Sequence, residues 1–236
     1  MQQDVKQNTT TVKNMKSLEP RAFLTGCDRN TEWMLEWFVK HYRKHNKTDL
    51  VFANFGVSAE MKEKLGFLGF DDVIEMPIQR GQGWFYKPKA MYQTCLMYDE
   101  VCWIDTDMHI TGDMSTLFKY VEKGKLAMCE DRGWTKRRGE KWHNSGVVAM
   151  RGVPRILPAW EKECSNNPKV GDQEVLHEMV RVTPLEREIN ITTLPPRYNW
   201  LRLDILDGLD SNDKVAMHWT GHKGKLQIQK MMYNEQ

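Results

Sequence analysis

Residues 100–113 read EVCWIDTDMHITGD. The run Val101 to Ile104 is continuous, apolar and short, as in a strand buried on both faces of a sheet. It ends on Asp105 and Asp107, with Thr106 between them. Side chains two apart on an extended segment point the same way, so both carboxylates turn toward one point. Like charges held that close repel unless something neutralises them, and a hard divalent cation does so while bridging phosphate oxygens. Ligands of open α/β sheets bind at the carboxyl ends of the strands, which is where this pair emerges. The stretch therefore reads as a strand of an α/β sheet that ends either in a metal seat or in a solvated turn of acidic residues.

The flanking segments fit that sheet. RAFLTGC (21–27) reads as a strand that meets Gly26. DRNTEWMLEWFVKHYRKHN follows as a helix, with Trp33, Met34, Trp37, Phe38 and Tyr42 at helical spacing behind a cap at Asn30 or Thr31. DLVFANF (49–55) is a second strand, SAEMKEKLGFLG a short helix ending near Gly66 or Gly69, and DVIEMP a third strand stopped by Pro77. KPKAMYQTCLMYDE is a helix with Pro88 in its first turn. Beyond the paired acids, KLAMCE (125–130) and SGVVAMR (145–151) read as strands, and 154–165 and 172–181 as helices. This alternation predicts a mostly parallel central sheet flanked by helices, in one domain over 20–236. Residues 1–19 are polar and lack periodicity, so they read as a flexible tail.

Composition narrows the function. Lys and Arg number 34 against 32 Asp and Glu, a net charge of +2 that argues against bulk polyanion binding. The five cysteines, Cys27, Cys95, Cys102, Cys129 and Cys164, are odd in number and form no CxxC pair, so neither a disulfide framework nor a zinc site is expected. A run of about 18 apolar residues, the length of a membrane span, does not occur, and the N-terminus lacks an apolar leader core. A soluble, cytoplasmic protein is expected. The basic run RGWTKRRGEKW (132–142) reads as a solvated loop or as acceptor-binding charge. The stretch RGQGWFY (80–86), with Trp84, Phe85 and Tyr86, reads as a mobile flap or as core. His109 and His143 read as structural or surface residues.

Five segments in order resemble glycosyltransferases of the GT-A fold, in particular the glycogenin-like and galactosyltransferase-like members of family 8. YKPKAMYQTCLMYDEVCWIDTDMHI matches in its order of lysine, helix, strand and DxD; Lys89 precedes Asp105 by 16 residues, as the family lysine that reaches the donor does, with Lys87 as the backup. HNSGVVAM is similar to the family's NSG strand, which puts Asn144 and Ser145 beside the donor sugar. GDQEVLHEM resembles the GDQ element, with Asp172 and Gln173 near the anomeric carbon. TTLPPRYNW is similar to the LP…YN segment. AMHWTGHKGK resembles the family terminus HxxGxxKP, which implies His218 as third metal ligand and Gly221 at the diphosphate. LTGCDRN loosely resembles the nucleotide-binding turn, with Thr25, Cys27 and Asp28 as base and ribose contacts and Thr106 beside the paired acids.

The resemblance implies a Rossmann-like domain with a nucleotide-binding half at 20–107 and a sugar and acceptor half at 108–236. It implies Mn²⁺ (or Mg²⁺) on Asp105, Asp107 and His218, a nucleotide-sugar donor of the UDP-sugar type, and transfer with retention. One departure concerns the lysine six positions after the histidine, where Gly224 stands between Lys223 and Lys225. Either neighbour is a candidate for the diphosphate. The acceptor is unassigned among glycan, protein, lipid headgroup and modified nucleic acid. Two rival classes share features: a haloacid-dehalogenase-like phosphotransferase with Asp105 as nucleophile, and a non-catalytic nucleotide-sugar binding module. The phosphotransferase pattern DxDxT or DxDxV has His109 at its fifth position here.

Overall fold

The computed structural model describes residues 19–76, 83–166 and 171–235. Most of the expected tail, the strand-stopping Pro77 and the start of the expected flap (80–82) lie outside the described residues. In chain order the larger elements are β1 (Glu19–Cys27), α1 (Leu35–His45), β2 (Asp49–Asn54), α2 (Ala59–Leu65), β3 (Asp72–Glu75), α3 (Lys87–Thr94) and β4 (Tyr98–Ile104). After these come β5 (Met108–Ile110), β6 (Leu126–Glu130), α4 (Arg132–Arg138), β7 (His143–Arg151), α5 (Ile156–Asn166), α6 (Asp172–Val180), α7 (Pro184–Asn190) and β8 (Ile191–Leu194). The chain closes with β9 (Trp200–Leu201), α8 (Arg202–Leu206), β10 (Ala216–His218) and α9 (Gly221–Asn234).

Seven strands form one sheet in the order β3-β2-β1-β4-β7-β6-β8. All pairs are parallel except those of β7, which runs antiparallel to both β4 and β6. The expected α/β class with a mostly parallel sheet is the one observed. Alternation along the strands explains the two cores. Phe23, Phe52, Cys102 and Ala149 point to a cluster shared with α1 and α9. Leu24, Val51, Trp103 and Val148 point to the opposite cluster, shared with α3, α5 and α6. Burial of each large side chain, such as fully covered Trp103 and Trp160, contributes about 1.5–3 kcal/mol. β4 begins at Tyr98, inside the stretch read as helix, and ends at Ile104, so Asp105 is the first residue beyond it and emerges as predicted.

Three differences from the sequence reading bear on the site. First, β5, β9 and β10 make a second, three-stranded sheet, with β10 antiparallel to β5 and His218 opposite Met108. This pairing carries the C-terminal histidine back to the paired acids. Second, the basic run is a helix, α4, and not a loop. Asp131 caps it by accepting from Trp134 N at 3.0 Å, and Gly139 (φ +71°) closes it. Part of its charge is paired within the fold: Arg132 donates to both oxygens of Asp204 at 3.1 and 2.8 Å, and Arg137 pairs with Asp207, while Lys136, Arg137 and Arg138 are exposed. Third, neither Asn30 nor Thr31 caps α1; both donate to the Asp28 carboxylate, and a 3-10 turn (Glu32–Met34) leads into the helix.

His143 and His109 are both interior groups. His143 faces Thr193 Oγ1 at 3.2 Å, and His109 packs against Trp37 and His41. Burial pushes the His143 imidazole down to about 3 and that of His109 to about 4. Both rings are therefore neutral in the fold but gain a proton on unfolding once pH drops below 6.5. The unfolded chain binds more protons there, so stability is full above pH 6.5 and lost as pH falls. Each ring contributes at most about 1.4 kcal/mol per pH unit. Urea midpoints at pH 7 and pH 5 check this expectation, and the difference is expected to shrink in His143→Gln.

Candidate functional site

A cavity of about 530 Å³ opens at the carboxyl ends of β1 and β4, a size that suits a small ligand. The start of β7 and the N-terminus of α6 form one wall, and the end of β10 with the start of α9 forms another. Asp105 enters just past β4, with its backbone N–H donating to Gly146 O at 2.9 Å. Its Oδ1 accepts from Trp103 Nε1 at 2.6 Å and lies 3.0 Å from Lys87 Nζ. Its Oδ2 is left facing His218 Nε2 at 3.7 Å, and Asp107 Oδ1 faces the same nitrogen at 3.0 Å. One ligand atom from each of Asp105, Asp107 and His218 falls within a 4.8 Å group. Two carboxylate oxygens and an imidazole nitrogen, converging from a strand end and an antiparallel strand, form a donor set that fits a divalent cation of the Mn²⁺ or Mg²⁺ kind.

The electrostatics agree. Burial works to raise the Asp105 carboxyl, but the Lys87 ammonium and His218 outweigh it and hold Asp105 below the usual carboxylate range. Burial likewise works to lower the His218 imidazole, yet Asp107 and Asp105 draw it above its ordinary value. Lys87 is itself buried, which disfavours its charge, but Asp105 and Asp172 keep it protonated. Asp172 is raised, first by burial, with Lys87 opposing. Its Oδ2 has no hydrogen-bond partner and lies 3.3 Å from Lys87 Nζ. One buried ammonium thus stands between Asp105 and Asp172.

The cavity gathers most, not all, of the residues singled out in the sequence. Cys27, Asp28, Thr106, Asn144, Ser145, Asp172, Gln173, Gly221 and Lys225 line it together with the three acidic and imidazole ligands. Lys89 does not line it; Lys87, two residues earlier, fills that place and donates to Ser145 O at 3.1 Å. Thr25 does not line it either, because its hydroxyl donates to Ile104 O at 2.7 Å and ties β1 to β4. Of the two C-terminal lysines only Lys225 reaches the wall. Gln173 spends its Oε1 on Asn144 Nδ2 and Ser145 N, both at 3.1 Å, and its Nε2 donates to Asp131 Oδ2 at 3.4 Å. Asp131, Trp134 and Leu203 also line it and were missed in the sequence. The signal for Asp131 was the acid ahead of the basic run, a helix cap read as loop.

Gly224 has a physical reason. A Cβ there would sit 2.0 Å from the carbonyl oxygen of Trp219, so α9 packs against the end of β10 only with glycine at this position. Gly224→Lys, the residue the family resemblance would place here, is expected to destabilise the fold by about 1–3 kcal/mol or more through this overlap. A lowered melting temperature without a gain in nucleotide affinity is the expected outcome.

Compared by sequence, the chain matches no family model and no curated protein. Compared by structure, its fold is that of GT-A glycosyltransferases. It is similar to the glycosyltransferase GlyE of Streptococcus pneumoniae TIGR4, with a TM-score of 0.62 at 17% identity over 86% of this chain. The chain spans 55% and 64% of the two GlyE chains it matches. It is similar also to the galactosyltransferase LgtC, solved in complex with donor and acceptor sugar analogs, with a TM-score of 0.58 at 14% identity, covering 90% of this chain and 95% of that one. For mouse xyloside xylosyltransferase 1 the TM-score is 0.54 at 12% identity, with 86% and 97% covered. Identities this low establish the shared fold. Among the described residues no helix is long and apolar enough to cross a membrane.

Proposed function

We propose that the chain is a metal-dependent glycosyltransferase that moves a hexosyl-type sugar from a nucleotide diphosphate sugar, of the UDP-sugar type, to an acceptor with retention at the anomeric carbon. The observation that carries this reading is the convergence of Asp105, Asp107 and His218 at the mouth of a cavity on this fold. These three residues would hold Mn²⁺ or Mg²⁺. When bound, the cation supplies positive charge to the two phosphates of the donor and so favours departure of the diphosphate.

The chain's own residues supply the rest. Lys225 and the α9 N-terminus, where Gly221 takes a positive φ of +72°, present positive charge and backbone amides to a diphosphate. Cys27 and Asp28, which line the cavity at the end of β1, would meet the base and ribose. Asp172 and Gln173, which line it at the start of α6, would meet the sugar, and Asp172, held near Lys87, would steady positive charge that develops on it. The glycosidic carbon–oxygen bond would break with its electron pair on the diphosphate, and the acceptor oxygen would form the new bond as its proton passes to the departing diphosphate oxygen.

A donor screen tests the reading. UDP-, GDP- and TDP-sugars are incubated with the protein and Mn²⁺, and released nucleotide is measured. Release is expected with UDP-sugars and abolished by chelation. Binding of UDP without sugar release would show a binding module, and metal-dependent phosphate release from phosphoesters would show a phosphotransferase.

A further inference from the structure

Four buried side chains link the wall of the cavity to the back of His218. Asp131 is 2% exposed, Asn199 1%, Asn144 7% and His218 4%. His218 Nδ1 stands 3.0 Å from Asn199 Oδ1, Asn199 Nδ2 donates to Asn144 Oδ1 at 2.9 Å, and Asn144 Nδ2 donates to Asp131 Oδ2 at 3.1 Å. The candidate metal group found among the described residues, Asp105, Asp107 and His218, does not include Asp131, and Asn199 does not line the cavity.

The orientation of every amide in this series is forced. The Gly146 backbone N–H, which can only donate, points at Asn144 Oδ1 at 2.9 Å. The Asp131 carboxylate can only accept, and it stands at the other end of the same amide. Asn144 is therefore pinned from both ends with its oxygen toward Asn199. That oxygen requires the NH₂ group of Asn199 to face it, which turns Asn199 Oδ1 toward His218. An oxygen there requires a hydrogen on His218 Nδ1. The ring thus carries a hydrogen on Nδ1 and turns Nε2 toward Asp107 Oδ1 at 3.0 Å and Asp105 Oδ2 at 3.7 Å, the side on which a cation would take the place of any proton on Nε2.

We infer that Asn199, fixed through Asn144 by Asp131 and the Gly146 amide, is the positioning residue that sets the His218 tautomer for metal binding. The inference rests on the metal reading of Asp105, Asp107 and His218. Position 146 contributes sterically as well. A Cβ on Gly146 would lie 2.2 Å from His218 Cε1, so the ring occupies space that only glycine leaves. The same Asp131 carboxylate lies 3.4 Å from Gln173 Nε2, so one buried acid holds both the back of the metal ligand and the amide at the reacting end. Partners that orient a metal-ligating histidine are typically worth about 10- to 100-fold in metal affinity.

Two measurements decide it. Nitrogen-15 NMR of metal-free wild type, with His218→Ala to assign the signal, is expected to show a proton on Nδ1. An Nδ1 without a proton overturns the inference, and this arm needs no metal. Mn²⁺ affinity, read from the electron spin resonance of the free ion, is expected to fall about 10- to 100-fold in Asn199→Leu, which keeps volume but removes the acceptor. It is expected to be only partly restored in Asn199→Asp, which keeps the acceptor for Nδ1 but loses the donor to Asn144 Oδ1. Thermal melts identify the folded fraction of each variant. Undiminished Mn²⁺ affinity in folded Asn199→Leu overturns the positioning role alone, whereas wild type that binds no Mn²⁺ overturns the metal reading itself.

Discussion

Lys87→Met is expected to lower the stability of the fold by about 3–5 kcal/mol, the cost of leaving a buried charge without its partner. The Lys87 side chain is 5% exposed and lies 3.0 Å from Asp105 Oδ1 and 3.3 Å from Asp172 Oδ2. Methionine keeps most of the volume, so the loss reports charge and not a cavity. The two acids respond differently. Asp105 keeps Trp103 as a donor and His218 nearby, while Asp172 Oδ2 has no hydrogen bond to fall back on. Burial already raises the Asp172 carboxyl with the lysine present. Without it, the folded state holds a proton on Asp172 that the unfolded chain releases near the ordinary value of 3.8. The variant therefore loses stability as pH rises through the carboxylate range, the reverse of the histidine effect. Urea unfolding across that range checks the sign. Asp172→Asn in the Lys87→Met background is expected to restore part of the loss, and a double variant no more stable than the single one would sink the assignment of the charge to this pair.

How much of this was legible before the structure depended on the length scale of the signal. β4 and its acids were legible because a buried strand needs a continuous apolar run and the acids follow it directly. The small sheet was not, because β5, β9 and β10 are two or three residues long, too short for a period to repeat. That sheet delivers His218, so the histidine was reachable only through the resemblance of its surrounding segment. The choice between Lys87 and Lys89 is one of helix phase: two residues turn about 200° around the axis, so when one faces the sheet the other faces away. The strand end alone did not fix which. Asn199 and Asp131 act through hydrogen bonds to residues 19 and 13 positions away, His218 and Asn144. Such bonds leave no local period. Gly146 is glycine for the same kind of reason, since a side chain there would strike His218 in a distant segment.

The metal pair yields the largest expected effect on activity. Asp107→Asn keeps the shape of the side chain and removes one negative charge from the group of three ligands, while His218→Ala removes the nitrogen that closes it. A bound cation supplies several kcal/mol of stabilisation to a departing diphosphate, so either change is expected to reduce metal-dependent UDP release by about 10²- to 10³-fold or more. The same residues set a second readout that does not depend on turnover. A ligand that binds only the folded state stabilises it by mass action, about 2.7 kcal/mol at a hundred times its Kd. Mn²⁺ with UDP is therefore expected to raise the melting temperature of wild type and to leave those of Asp107→Asn and His218→Ala nearly unmoved. Chelation is expected to reverse the wild-type shift. The two readouts separate two failures. A variant that keeps the thermal shift but loses turnover would locate the metal elsewhere and leave Asp107 or His218 a role in the reaction step. A variant that keeps both would show that the close approach of His218 Nε2 to Asp107 Oδ1, 3.0 Å, is an ion pair of the fold and not a metal seat.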